Sequence, residues 1–129
     1  MKKSMGEKWF ELAEYDLSVA EGLLGLGYYA YCVFMCHLSI EKALKGLFQE
    51  RTGEYPPKLH NLLYFVKNLS LEMPQDLLHF LGKINDAHIL TRYPEELAEI
   101  KKNYKRKAAE NYLANTRRVL EWIKTNLKK

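Results

Sequence analysis

His37, Glu41 and Lys45 sit at intervals of four in YYAYCVFMCHLSIEKALKGLF, residues 28–48, an otherwise apolar run. On an α-helix that spacing stacks the three polar heads on one face, and Glu41 four residues before Lys45 is the favourable order for an ion pair. Charge taken out of water is strongly disfavoured unless something compensates it, so the ladder needs partners or solvent. Either it fixes one packing arrangement or it lines a polar cleft that contacts a ligand. A second pairing lies further along. His88 precedes Arg92 by four residues, so both project from one helical face together with Asn85. Such a pair suits acid–base chemistry on a charged intermediate, and equally suits a polar patch at a subunit interface or helix terminus.

Metal chemistry has little support. His37 and Glu41 lack a third ligand, and Cys32 and Cys36, one helical turn apart, are the only two thiols. A disulfide framework is excluded, and buried reduced thiols are expected. His60 caps a short helix or ties down the loop before it, and His79 lies off the apolar stripe, on the surface. Tyr28, Tyr29, Tyr31 and Phe34 offer faces for base stacking, but in that density on a central helix they fit core and interface better.

The elements that must position these residues are helical. Proline and glycine fall at Gly25–Gly27, Gly53–Pro57, Pro74 and Pro94, where helices should end. The first helix opens with Ser4 and Glu7, a capping-box pattern, and runs to about Leu24. Trp9, Leu12, Ala13, Ala20, Leu23 and Leu24 form its stripe, with Asp16 in the middle. The second spans about Tyr28–Arg51 and is apolar nearly all round, as the central helix of a bundle should be. Folding the hairpin about Gly25–Gly27 brings Asp16 near the level of His37, which it would orient or ion-pair. A short helix covers about His60 to Asn68. A fourth starts at Pro74 and runs to about Leu90, with Leu77, Leu78, Leu81 and Ile84 inward and then Asn85, His88 and Arg92 on the same face. Residues 91–103 read as irregular or partly helical. The last helix starts near Tyr104, with Ala108, Tyr112, Val119, Leu120, Ile123 and Leu127 inward and a basic face of Arg106, Arg117, Lys124 and Lys128 opposite. The fold class is an all-α, up-and-down bundle of four main helices plus one short helix, in one domain, 1–129.

Net charge is +4 over 129 residues. It is unevenly spread: residues 1–100 hold 10 Lys/Arg against 14 Asp/Glu, and residues 101–129 hold 10 against 2. A basic tail segment on an acidic body steers toward phosphate or an acidic protein, or is the solvated face of a last helix. No apolar stretch is long enough to span a membrane, and the N-terminus lacks the apolar core of a secretory signal, so a cytoplasmic location is expected.

Four segments in this order resemble the HEPN domain family, over nearly the whole chain: Ala13, Asp16 and Leu17; then His37-Leu-Ser-Ile-Glu41-Lys42-Ala43-Leu44-Lys45; then Pro57, His60 and Leu62, with Asn61 where the family usually has Asp; then Arg92-Tyr93-Pro94. The last is similar to the subgroup encoded beside minimal nucleotidyltransferases. The resemblance implies a homodimer with a polar cleft between protomers, built from His37, Glu41, Lys45, Asn85, His88, Arg92 and Tyr93 and taking a nucleotide, an RNA or the nucleotidyltransferase partner of a toxin–antitoxin-like gene pair. No cofactor is implied. Many relatives are metal-independent endoribonucleases in which an Arg is followed four to six residues later by a His. Here Arg92 is followed by Tyr93, Pro94, Glu95, Glu96, Leu97, Ala98 and Glu99, so the enzyme reading is weakened. Its catalytic candidates are Arg92 with His88 or His37.

Overall fold

The computed structural model describes residues 2–87 and 94–127. Through them run α1 Met5–Leu26, α2 Tyr29–Thr52, α3 Leu62–Asn68, α4 Gln75–Ile84, α5 Leu97–Asn103 and α6 Arg106–Asn126, with a 3₁₀ turn at Pro94–Glu96 leading into α5. Among the described residues there is no strand, and the fold is an all-α bundle.

Helix α1 starts at the capping box, where the Glu7 amide donates to Ser4 Oγ at 3.1 Å and the Ser4 amide to Glu7 Oε1 at 3.2 Å. It stops at Gly27, whose φ of 86° is the left-handed conformation that glycine adopts without a Cβ clash. The Gly27 and Tyr28 amides then close the helix end on Leu24 and Leu23. The chain turns back at once, so α1 and α2 lie side by side as a hairpin. They approach closely at Gly46, where a Cβ would stand 2.8 Å from Trp9 Cβ and 2.9 Å from the Gly6 carbonyl oxygen. Glu50 of α2 reaches across to accept the Gly6 amide at 3.1 Å, and Ser39 Oγ donates to the buried Ala13 carbonyl at 2.7 Å.

Helix α2 is the central rod, with apolar side chains such as Val33, Ile40, Leu44 and Leu47 fully buried. Helix α6 covers it with Tyr112, Leu113, Val119, Leu120 and Ile123. On α6 the inward face takes Ala109 rather than the expected Ala108, and includes Leu113 and Thr116. On α1 the buried set is Gly6, Phe10, Ala13, Asp16 and Ala20, while Leu12, expected in the stripe, faces solvent.

Two boundaries differ from the sequence expectation. Helix α4 ends at Ile84 and not near Leu90, although Asn85 still has helical φ and ψ of −53° and −35°; residues 88–90 lie outside the described residues. The segment expected to be irregular or partly helical is helical over its described part, in the turn at Pro94–Glu96 and α5, and α6 begins at Arg106 rather than near Tyr104, set off from α5 by Tyr104 and an extended Lys105.

Candidate functional site

Glu41 is the hub of a charged cluster on α2. Its side chain is only 5% exposed. Oε2 takes the Lys45 ammonium at 2.9 Å, one turn on, as the spacing anticipates. Oε1 takes His60 Nδ1 at 2.9 Å, from the loop just before α3. His37, one turn earlier and fully buried, places Nδ1 3.8 Å from the same Oε1. Burial pushes the Glu41 carboxyl up, but the hydrogen bonds from Lys45 and His60, with their charges, outweigh it and hold the group below its ordinary value. The carboxylate therefore stays an anion inside the bundle. Its bond to Nδ1 makes that nitrogen the donor, fixing the His60 tautomer while more than half of the side chain faces solvent.

The loop that carries His60 is held from the far side. Asn61 Oδ1 accepts the Leu63 amide at 3.0 Å and so caps α3. Asn85, at the end of α4, accepts the Leu62 amide at 2.7 Å through Oδ1 and donates from Nδ2 to Asn61 Oδ1 at 3.1 Å. An acceptor oxygen is all that Asn61 needs to supply to both contacts, so Asn serves where Asp is usual. The helix α2 ladder, His60 and the end of α4 are thus coupled through the residue pair His60–Asn61.

Asp16 does not meet His37. Its carboxylate pairs with Lys42 Nζ at 2.6 Å. The hairpin brings Asp16 against α2, but to Lys42, five residues past His37. Neither Lys42 as the partner of Asp16 nor His60 as the partner of Glu41 was found from the sequence. The run Glu41–Lys42 signalled two adjacent charges on a buried helix, which must diverge to two different partners. His88, Arg92 and Tyr93 lie outside the described residues. His79 is exposed.

The basic face is partly engaged. Arg117 reaches Glu21 of α1 at 3.4 Å, and Arg106 lies 3.9 Å from Glu110. Lys124 is exposed, and Lys128 falls outside the described residues. Arg118, which was not placed on that face, pairs with Asp76 of α4 at 2.5 Å. Among the described residues no three His, Cys, Asp or Glu side chains gather closely enough to hold a metal ion. Cys32 and Cys36 are free and buried; the hydrogen bond to Cys32, followed by burial, drives the Cys36 thiol far above its usual range. No described helix is long and apolar enough to cross a membrane.

No curated protein matches the chain. The crystal structure of TT1696 from Thermus thermophilus superposes with a TM-score of 0.83 at 29% identity, over 95% of this chain and 98% of that one. An archaeal HEPN homologue, ST0689, gives 0.77 at 22% identity, over 97% of this chain and 99% of that one. A HEPN domain protein of Thermotoga maritima, tm0613, gives 0.72 at 22% identity, over 95% and 98%. At those last two identities the likeness concerns the fold. The profile of the HEPN domain matches residues 6–126, nearly the whole chain and every element of the bundle, and the chain belongs to the HEPN family.

Proposed function

We propose that this HEPN protein is a binding module, a homodimer that works with a separate minimal nucleotidyltransferase in a two-gene, toxin–antitoxin-like system. We assign to its cleft Glu41, with Lys45 and His37 from the same helix, His60 opposite and Asn85, and, from the family resemblance alone, His88, Arg92 and Tyr93. A nucleotide, an RNA or the partner protein occupies it. One observation carries this reading: a carboxylate kept ionised inside the bundle, against its own desolvation, with an exposed imidazole fixed upon it. Apolar residues of the same volume are often as stabilising as such a buried cluster, or more so, which makes packing alone a weak reason for it. The resemblance of Arg92-Tyr93-Pro94 to the nucleotidyltransferase-associated subgroup supplies the partner.

The competing ribonuclease reading lacks the histidine after Arg92. Co-expression with the nucleotidyltransferase encoded beside it tests the binding reading. The two proteins co-purify, mass spectrometry finds Tyr93 or another tyrosine modified, and His60→Ala weakens the complex while the fold survives. Absence of both co-purification and modification rejects it, and metal-independent cleavage of RNA lost in Arg92→Ala would replace it with the enzyme.

A further inference from the structure

The aromatic residues that open α2 do not all enter the core. Tyr29 and Phe34 are partly buried, whereas Tyr28 and Tyr31 remain 58% and 50% exposed. Together with Leu97 of α5, itself 50% exposed, and Tyr104 at the end of that helix, they line a groove of about 330 Å³. Two cations border the same space. Leu97 and Lys101 stand four residues apart on α5 and so share a face, and Lys105 follows on the extended link into α6. Neither ammonium pairs with a carboxylate among the described residues, and none of the described residues lining the groove is acidic. Burial, followed by the neighbouring Tyr112 and the charge of Asp86, pushes the Tyr104 phenol up to about 12, so it stays neutral at pH 7. The lining is therefore apolar, aromatic and cationic.

We propose that this groove binds a small aromatic carboxylate, its flat ring system against Tyr28, Tyr31 and Leu97 and its carboxylate answered by Lys101 and Lys105. Small-ligand pockets run from about 300 to 1,000 Å³ and combine a mostly apolar lining with a few polar groups that fix orientation. The volume here suits one molecule of modest size, and the two ammoniums are those orienting groups. Tyrosine rings stack on another aromatic ring and gain more than the covered area alone supplies. Charge decides the other end of the ligand. A neutral aromatic gains nothing from the lysines and an aromatic cation is repelled, whereas a carboxylate takes a charge-assisted hydrogen bond from either ammonium. A nucleotide fits the lining worse, since its ribose hydroxyls and base edges would leave water with few side chains to bond them. The groove is separate from the Glu41 cluster: Glu41 follows Tyr31 by ten residues on α2, about 15 Å at 1.5 Å per residue. What fills the groove and what the Glu41 cluster binds therefore stand or fall separately.

Amide-resolved NMR of the full chain titrated with naphthaleneacetate tests this, with circular dichroism as the check on folding. Binding saturates, shifts the amides of 27–31 and 97–105, and is at least about tenfold tighter than that of naphthaleneethanol, which keeps the rings and lacks the charge. Lys101→Gln/Lys105→Gln lowers the affinity by about tenfold, and Tyr31→Ser by a similar factor. Lys102→Gln removes the same charge from a neighbouring exposed position off the lining, and changes the affinity by less than about twofold. Absence of saturable binding up to the solubility of the acid, shifts centred on other residues, or acid and alcohol bound alike overturns the assignment. So does a folded Lys101→Gln/Lys105→Gln chain that binds as the wild type does. Adenosine monophosphate that binds at the same amides more tightly than naphthaleneacetate overturns it too, and gives the groove to nucleotides. All of these outcomes leave the proposed function to its own test, co-purification with the nucleotidyltransferase.

Discussion

Glu41 is held as an anion where water scarcely reaches it, and that fixes what its removal does. Glu41→Ala leaves the largely buried Lys45 ammonium without its carboxylate, a change that destabilises by about 3–5 kcal/mol when one partner of a buried pair is removed. Urea denaturation at pH 7 measures it; a loss below about 1 kcal/mol would mean a solvent-screened pair. The pH dependence has a definite sign. The folded carboxyl titrates below its ordinary value of about 4.3, so its contribution is fully present above that pH and disappears as the pH falls through the lower, folded value. The wild-type midpoint should therefore drop on acidification below about pH 4.3 more steeply than that of Glu41→Gln, which has no carboxyl to protonate. Of this cluster, the Glu41–Lys45 pair was legible because both partners lie on one helix with a fixed repeat. His60 was not, because a contact spanning 19 residues depends on where the loop lands. Asp16 shows the same limit: a hairpin turn brings a residue against the facing helix, and only the packed helices fix which residue it meets.

Between elements, α1 and α2 come close where Gly46 meets the Gly6 backbone. Gly46→Ala gains helix propensity of about 1 kcal/mol, but its Cβ would meet Trp9 Cβ and the Gly6 backbone at under 3.0 Å. Backbone cannot move aside as a side-chain end can, so the helices must part, and overpacking of this kind costs typically about 1–3 kcal/mol. The net effect is a lower melting temperature. Gly22→Ala is the counterpart on α1: no atom stands within 4 Å of its Cβ, so it should raise stability by about 0.5–1 kcal/mol. Thermal melts of the two variants should move in opposite directions, and a shift of the same sign in both would contradict the close-approach argument. Elements with local signals were legible in the same sense: the capping box starts α1, and glycine stops it and α2. The end of α4 was not: Asn85 keeps helical backbone angles, and its side-chain bonds to the Leu62 amide and Asn61 come from a segment far away in sequence. Helix α5 buries one residue, Ile100, and so has no apolar period to reveal it.

Across the molecule, stability should follow burial. Helices α1, α2 and α6 share the large core, with twelve buried residues on α2 alone, whereas α5 contributes Ile100 and α3 contributes three. Local opening is easiest where few apolar groups are covered, so native-state hydrogen exchange should show α2 opening only with global unfolding. The amides of Leu97–Asn103 should exchange at a much lower free energy in the isolated chain. The acidic body and basic last segment do not alter this ranking, because the Arg117–Glu21 and Arg118–Asp76 pairs that stitch α6 to α1 and α4 are half exposed, where such pairs add little. The weakest element is therefore α5, and protection of its amides equal to that of α2 would contradict a ranking by burial.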